Sequence, residues 1–188
     1  MISLYDPLKS SYLNTIEAEE KMKKHNYKLD PELSNIQTKV FYNPEADNPL
    51  LITYRGTKNL LNDIPTDIAL GLGQLKHTQR YKDSKHIYQK AKEKYNSNAL
   101  LVGHSLGGGL ASAVSEPNDK VITFNKASAG FISPSTETKA NETAYRWNGD
   151  IISGLSVFDK HKPNTIGRLE DPFNAHRLSN IEKNAIFV

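Results

Sequence analysis

The stretch ALLVGHSLGGGLASA, residues 99–113, decides the fold of this protein. Its first residues form a short apolar run typical of a buried strand, and its last residues are small, as in a helix that packs closely on a sheet. Between them, GHSLG at residues 103–107 fits the nucleophile elbow, a strand–turn–helix motif that exposes a serine hydroxyl above the sheet. The stretch therefore predicts an α/β fold with Ser105 at the end of a central strand.

Gly103 and Gly107 stand two residues before and two residues after Ser105. In the elbow the chain approaches itself so closely that a side chain at either position would clash, which makes glycine necessary. The alternative interpretation is a glycine-rich turn that carries a serine without function. A predicted strand before the turn and a predicted helix after it favour the nucleophile.

Strands and helices alternate outward from this stretch. Helices are predicted at 11–25, 76–96 and 105–115, and strands at 38–43, 49–55, 99–103, 120–125 and 143–148. The first helix has a modest apolar face made of Tyr12, Leu13, Ile16 and Met22. Strands separated by helices indicate a mostly parallel central sheet flanked by helices, and residues 151–188 are expected to be loop-rich. With 188 residues, one domain spanning 1–188 is expected.

The composition excludes several classes of protein. The chain has no cysteine, so disulfides and thiol chemistry are excluded. We find no secretory apolar core at the N-terminus and no run long enough to span a bilayer, and we expect a soluble, intracellular protein as made. The net charge of +3 is too small to indicate nucleic-acid binding, although it would weakly favour an anionic membrane surface. The predicted serine chemistry needs no cofactor and no metal.

A serine hydroxyl needs a base to accept its proton before it attacks. In the hydrolase order, serine is followed first by an acid and then by the histidine, which removes His25, His77 and His86. His104 adjoins the serine inside the turn and cannot reach back to its hydroxyl. Two candidates remain, and the charged surroundings of His161 are typical of a solvated side chain. His176 lies among apolar residues in FNAHRLSNI and is the predicted base.

The acid of the triad is expected after a strand. Asp150 ends the predicted strand of YRWNGDI, where it would fix the tautomer of His176 and stabilise the imidazolium as it forms. An aspartate that caps a turn is the alternative interpretation. Asp159 and Asp171 are rival acids, but neither clearly ends a strand.

An oxyanion hole is the last requirement of acyl transfer. The elbow supplies one donor, the backbone N–H of Leu106. The predicted strand in LLITYRGTKNLL ends at Arg55, and Gly56 allows a sharp turn after it. Thr57 then offers a backbone N–H and a hydroxyl as the second donor. A threonine that caps a turn or helix is the alternative.

Several blocks of this sequence, taken in order, resemble the class 3 lipases, the fungal-lipase-like branch of the α/β-hydrolases. They are YRGT (54–57), PTDIAL (65–70), GHSLGGGLAS (103–112), YRWNGDIISGL (145–155) and AHRLSNI (175–181). The resemblance covers roughly residues 50–181. It implies an α/β-hydrolase fold, a triad of Ser105, Asp150 and His176, and an oxyanion role for Thr57. It also implies hydrolysis of acylglycerols or phospholipids through an acyl-enzyme.

The sequence departs from the family pattern in several respects. The spacing from Asn148 to Asp150 is one residue shorter than in the commonest form, and Ser153 replaces the usual proline. The chain is also short, which leaves little room for a large lid. The segment 58–69 lies where the lid of the family begins, and its apolar residues Leu60, Leu61 and Ile64 would either form the mouth of the site or pack into the core.

Two other functions use the same features. The first is an esterase or acyltransferase acting on small soluble esters with the same triad. The second is a non-catalytic binding protein on a hydrolase fold. Against the second, every triad element and the oxyanion threonine are present. The partner expected from the resemblance is therefore a lipid or ester substrate, with transient contact to a membrane surface.

Overall fold

The computed structural model describes residues 2–57, 74–128, 136–182, 184 and 186–188. Its strands form one sheet in which the spatial order follows the chain order. The strands are β1 (Lys28–Leu29), β2 (Thr38–Tyr42), β3 (Leu50–Tyr54), β4 (Ala99–His104), β5 (Lys120–Phe124), β6 (Glu142–Trp147) and β7 (Asn164–Ile166). The helices are α1 (Tyr5–Ser10), α2 (Thr15–Lys23), α3 (Gln79–Tyr95), α4 (Leu106–Val114), α5 (Pro172–Ala175) and α6 (Ser179–Glu182). Two short 3₁₀ helices cover Leu75–His77 and Gly154–Phe158.

Strands β3 to β7 are parallel, whereas β1 and β2 join β3 as an antiparallel extension. The last residue of β3, Tyr54, pairs with Gly103 of β4, and Gly103 pairs with Thr123 of β5. The carboxyl ends of these strands therefore meet at one edge of the sheet, which we call the carboxyl edge. In open α/β sheets ligands bind at this edge.

The sheet is apolar on both faces, as predicted for parallel strands. On β4, Leu100 and Val102 face one side and Leu101 faces the other. Helices α1 and α2 cover the first face, where the core includes Leu4, Leu8, Met22, Phe41, Leu51, Ile122 and Phe124. Helices α3 and α4 cover the second face, where the core includes Val40, Ile52, Tyr54, Tyr81, Tyr88, Leu110 and Val121. The predicted α/β architecture is confirmed.

The predicted helix at 11–25 is wrong in its first residues. Asn14 forms a capping box, because its Oδ1 accepts a hydrogen bond from the backbone N–H of Glu17 at 2.9 Å and the Glu17 carboxylate accepts from its N–H. The helix therefore begins at Thr15, and Tyr12 lies in the connection from α1. Ile16, assigned to the apolar face, is 71% exposed.

Several elements were not predicted from the sequence because they are too short to show a periodic pattern, including the four-residue helices α5 and α6. Helix α1 has six residues, β7 has three and β1 has two. The long central helix was predicted correctly, except that Thr78 caps its N-terminus and the residues before it form a 3₁₀ turn. No helix in the described ranges is long and apolar enough to cross a membrane.

Candidate active site

Ser105 connects β4 to α4 in a strained backbone conformation, with φ 57° and ψ −128°. A positive φ is uncommon for any residue other than glycine and is often found at active sites. The backbone N–H of Ser105 donates to the carbonyl of Phe124 at 3.2 Å, so the end of β5 holds the turn. The predicted order of strand, turn and helix is present around the serine.

The two flanking glycines are sterically required. A Cβ on Gly103 would overlap the carbonyl of Gly107, and a Cβ on Gly107 would overlap the carbonyl of Tyr54 at the end of β3. These contacts confirm the close approach predicted for the elbow. The N-terminus of α4 is therefore in close contact with the end of β3, and the loop after β3 begins beside the serine.

Ser105 is fully buried, whereas the sequence analysis expected an exposed hydroxyl. The loop that follows β3 explains part of this burial. A Cβ placed on Gly56 would lie 3.1 Å from the Cβ of Ser105 and 2.8 Å from the carbonyl oxygen of His104. The predicted oxyanion residue Thr57 directly follows Gly56 and is half-buried. The other predicted donor is the backbone N–H of Leu106. Leu106 is the first residue of α4, and the first N–H groups of a helix have no partner within that helix.

Asp150 and His176 form a buried pair at the carboxyl edge. The imidazole Nδ1 of His176 lies 2.7 Å from Oδ1 of Asp150, with 1% of Asp150 and 8% of His176 exposed. Asp150 follows β6 after a short turn, and His176 follows α5. Because Nδ1 donates its proton to the carboxylate, Nε2 is left as the acceptor of the neutral imidazole.

The second oxygen of the same carboxylate bonds to Ser153. The backbone N–H of Ser153 donates to Oδ2 of Asp150 at 2.8 Å, and the Ser153 hydroxyl donates to the same oxygen. Burial alone would raise the pKa of Asp150, but the hydrogen bond and charge of His176 and the bonds from Ser153 outweigh it and hold the pKa below its usual value. Asp150 therefore stays ionised beside the histidine.

The rival residues occupy other positions. Asp159 is buried, but it accepts hydrogen bonds from Ser128 and from the backbone and hydroxyl of Thr138. Asp171 caps the turn before α5 through Asn174, and His161 is exposed. The pairing of His176 is therefore with Asp150 and with neither rival.

Two polar atoms at the site are buried and have no hydrogen-bond partner within the described part of the chain. They are Oγ of Ser105 and Nε2 of His176. The ring of His176 lies 4.8 Å from the ring of His104, the neighbour of the serine, measured between centroids. Buried polar atoms are normally paired, so these two are available for a reaction.

Tyr12 and His104 connect the segments of the site in a way that the sequence analysis missed. The backbone N–H of Gly56 donates to the hydroxyl of Tyr12 at 3.1 Å, and that hydroxyl lies 2.7 Å from Nδ1 of His104. Nε2 of His104 in turn lies 3.0 Å from the backbone carbonyl of His176. One tautomer satisfies the whole chain, with Nε2–H as the donor and Nδ1 as the acceptor from the tyrosine. Burial, reinforced by the nearby His176, lowers the pKa of His104 to about 3 and keeps the ring neutral.

Asn125 ties the acid and base segments together and was also missed. Its side-chain amide donates to the carbonyl of Ala175, immediately before His176, at 2.8 Å. Its amide oxygen accepts from the backbone N–H of Trp147 at the end of β6 at 2.7 Å. Asn125 has a positive φ of 45°, a conformation that asparagine tolerates better than most residues. The proposed lid residues Leu60, Leu61 and Ile64, and the PTDIAL block, lie outside the described residues.

A family model matches most of this chain. The phospholipase-like model described as the Tle-like phospholipase domain matches residues 4–165. The match runs from α1 into β7 and includes the elbow and Asp150, while His176 lies beyond its end. A comparison with curated proteins finds no significant match.

Solved structures of fungal lipases are distantly similar. The mono- and diacylglycerol lipase from Aspergillus oryzae has 17% sequence identity, with 81% of this chain and 70% of that chain covered and a TM-score of 0.45. The lipase from Rhizopus microsporus var. chinensis has 15% identity, with 83% and 65% covered and a TM-score of 0.44. Lipase II from Rhizopus niveus has 12% identity, with 83% and 70% covered and a TM-score of 0.41.

The family assignment rests on the family model, which spans most of the chain. It extends over the sheet and over the elbow whose strained serine lies at the carboxyl edge. The chain thus belongs to the Tle-like phospholipase domain family, as a lipase-like α/β-hydrolase that cleaves carboxylic ester bonds of lipids.

Proposed function

We propose that the protein is a phospholipase of the A type, which removes an acyl chain from a glycerophospholipid through a Ser105–Asp150–His176 triad. The observation that carries the proposal is the buried 2.7 Å pair of Asp150 and His176, which leaves Nε2 of the histidine without a partner in the described ranges. A histidine arranged in this way is a general base. The strained serine at the same edge of the sheet is the group that it would activate.

The reaction proceeds by acyl transfer in two steps. Nε2 of His176 takes the proton of the Ser105 hydroxyl while Oγ attacks the ester carbonyl. The tetrahedral oxyanion accepts hydrogen bonds from the N–H of Leu106 and from Thr57. His176 then protonates the leaving alcohol, and a water molecule activated by the same imidazole releases the fatty acid. Asp150 stabilises the imidazolium in both steps.

The bond cleaved follows from this chemistry. A serine triad with an oxyanion hole acts on an acyl carbon, so the product from a phospholipid is a fatty acid and a lysophospholipid. The phospholipase-like family model supports phospholipids over neutral acylglycerols as substrates. The exposed Ile151, which follows Asp150 directly, supports transient contact with a membrane surface beside the site.

Labelling with a fluorophosphonate probe tests the nucleophile. The wild-type protein is expected to react, and Ser105→Ala to fold normally and lose both labelling and at least about three orders of magnitude in kcat. His176→Ala should lose activity to a similar extent, whereas the matched variant His161→Ala should keep it. Full activity of Ser105→Ala would contradict the proposal.

Product analysis tests the bond. Phosphatidylglycerol vesicles treated with wild-type protein should yield fatty acid and lysophosphatidylglycerol, with Ser105→Ala as the blank. Release of a headgroup alcohol or of diacylglycerol would mean cleavage of the phosphodiester and would overturn the assignment. Hydrolysis of short soluble esters alone would favour a small-ester esterase.

A further inference from the structure

Three basic side chains cluster beside the loop that follows β3. Lys39 lies near the start of β2 and pairs with Thr53 of β3, which places it towards the carboxyl edge. Arg55 follows β3, and the guanidinium of Arg80 donates to the backbone carbonyl of Arg55. Lys39 is fully buried, and its ammonium donates to the carbonyl of Asn35 at 2.7 Å.

The described residues offer these cations no acidic partner. In the described part of the chain, no carboxylate lies within ion-pair distance of Lys39, Arg55 or Arg80. Burial, followed by the positive charge of Arg55, lowers the pKa of Lys39 to about 8 and that of Arg80 to about 10. The cluster is therefore a concentration of positive charge that no described side chain neutralises.

Two other buried charges of the described residues do have partners of opposite charge. Lys126 is as buried as Lys39, but its ammonium lies 2.9 Å from the carboxylate of Glu142. The buried Asp30 is paired with Lys94 at 2.8 Å. A buried charge without a partner costs free energy, so a basic cluster with no acidic partner among the described residues, beside the candidate site, is consistent with an anionic ligand.

Free donors and space for an anion lie next to these charges. Nε of Arg55 and Nε of Arg80 are buried and have no hydrogen-bond partner in the described ranges. A cavity of about 300 Å³ is lined by Lys39 and Arg55, by the polar residues Tyr12, Asn14, Thr15 and Asn35, and by the apolar residues Leu13 and Ile36. Guanidinium groups match the geometry of phosphate oxygens, and an ammonium adds a point charge.

The cavity adjoins the proposed oxyanion loop. Tyr12, which lines it, accepts a hydrogen bond from the N–H of Gly56, and Gly56 lies against Ser105. In a glycerophospholipid only a few bonds separate the acyl carbonyl from the phosphate. We propose that the cavity lined by Lys39 and Arg55 binds the phosphodiester of the substrate headgroup while Ser105 attacks the acyl carbonyl. This subsite rests on the proposed function and extends it to headgroup recognition.

Binding without turnover is the first test. Ser105→Ala is titrated calorimetrically with glycerophosphoglycerol and, separately, with inorganic phosphate at pH 7. Adding Lys39→Met should weaken binding of the diester at least about tenfold, whereas Lys28→Met, which removes an exposed lysine from β1, should leave it unchanged. Affinity should also fall as the pH is raised through about 8, where Lys39 loses its proton. Equal binding by both lysine variants would overturn the subsite.

Hydrolysis is the second test. Phosphatidylglycerol and diacylglycerol with the same acyl chains are compared in the same detergent micelles. Lys39→Met should lower the ratio of their kcat/KM values about tenfold, mainly through KM for the phospholipid. An equal loss on both lipids would overturn headgroup recognition. Tight binding of inorganic phosphate with an unchanged ratio would assign the cavity to free phosphate and would also overturn it.

The two proposals fail separately. If no ester is hydrolysed, the proposed function fails, and the calorimetric comparison of the diester with inorganic phosphate still decides the subsite. Loss of a buried cation should not lower the melting temperature, which is measured for each variant. If Lys39→Met does not fold, Lys39→Gln takes its place in both tests.

Discussion

Asp150 uses its two oxygens for two different partners. Oδ1 accepts from the imidazole of His176, and Oδ2 accepts from the backbone and hydroxyl of Ser153. The related lipase pattern has a proline where this chain has Ser153, and a proline has no N–H to donate. Ser153 in place of proline therefore gives the carboxylate of Asp150 additional hydrogen-bond donors. Asp150 is both the partner of His176 and the cap of a turn.

Removing the hydroxyl of Ser153 should weaken catalysis more than binding. In Ser153→Ala the buried carboxylate loses one donor, at a cost of about 1–3 kcal/mol, and holds the imidazole less firmly. We expect kcat to fall about tenfold with little change in KM. Ser156→Ala is the matched control, because its buried hydroxyl donates to the carbonyl of Ser153 and not to Asp150. Equal activity of both variants would show that the backbone N–H suffices.

Lys39 should make the stability of the protein depend on alkaline pH. Burial and Arg55 lower its pKa from 10.5 to about 8 in the folded protein. Between these values the unfolded chain binds more protons than the folded protein, so the free energy of unfolding rises with pH across that window. The rise is up to about 3 kcal/mol, from about 1.4 kcal/mol per pKa unit. Denaturant unfolding at pH 7.5 and 10 should show this rise in wild type relative to Lys39→Met, and parallel curves would contradict it.

At the scale of elements, local patterns predicted the regular framework. The apolar runs of β3 and β4 and the long amphipathic α3 were recognised because each carries its own signal. The order of Ser105, Asp150 and His176 was predicted from the motif together with the family resemblance. The link between Tyr12 and His104 was not, since it joins residues 92 positions apart and depends on where the Asn14 cap begins α2. Such contacts follow from tertiary packing, which no local period reveals.

The hydroxyl of Tyr12, which lies in the connection between α1 and α2, should contribute to the rate of catalysis. In Tyr12→Phe, the N–H of Gly56 and Nδ1 of His104 both lose their partner. The proposed oxyanion loop and the turn of His176 are then held less firmly, and we expect kcat on a soluble ester to fall about tenfold with KM nearly unchanged.

Tyr95→Phe provides the matched control for this change. The hydroxyl of Tyr95 donates to Asp30 at 2.8 Å at the end of α3, so its loss should lower the melting temperature without lowering kcat. If both tyrosine variants lose activity in proportion to stability, Tyr12 has only a structural role.

At the scale of the whole molecule, two exposed apolar side chains lie near the carboxyl edge. Ile36 precedes β2, whose Thr38 pairs with the last residue of β3, and it is 65% exposed. Leu169 follows β7, lies beside the turn that carries Asp150 and is 73% exposed. Phe187, by contrast, bridges to Ser3 near the start of the chain, away from this edge. From this distribution and the net charge of +3, we expect the carboxyl edge to face an anionic membrane surface.

The double change Ile36→Ser and Leu169→Ser should separate surface binding from chemistry. Complete burial of an exposed aliphatic side chain in an apolar environment contributes about 1.5–3 kcal/mol. Partial insertion of two such side chains is therefore expected to increase the affinity for vesicles roughly tenfold. We expect hydrolysis of phosphatidylglycerol vesicles to fall by about that factor while hydrolysis of a monomeric short-chain ester is retained. Phe187→Ser, which removes a comparably exposed side chain elsewhere, should change neither rate. The measurements are vesicle co-sedimentation and the two rates at low and high salt. A fall in the short-ester rate would place the two residues in the site itself, and unchanged vesicle binding would exclude this edge as the membrane-facing surface.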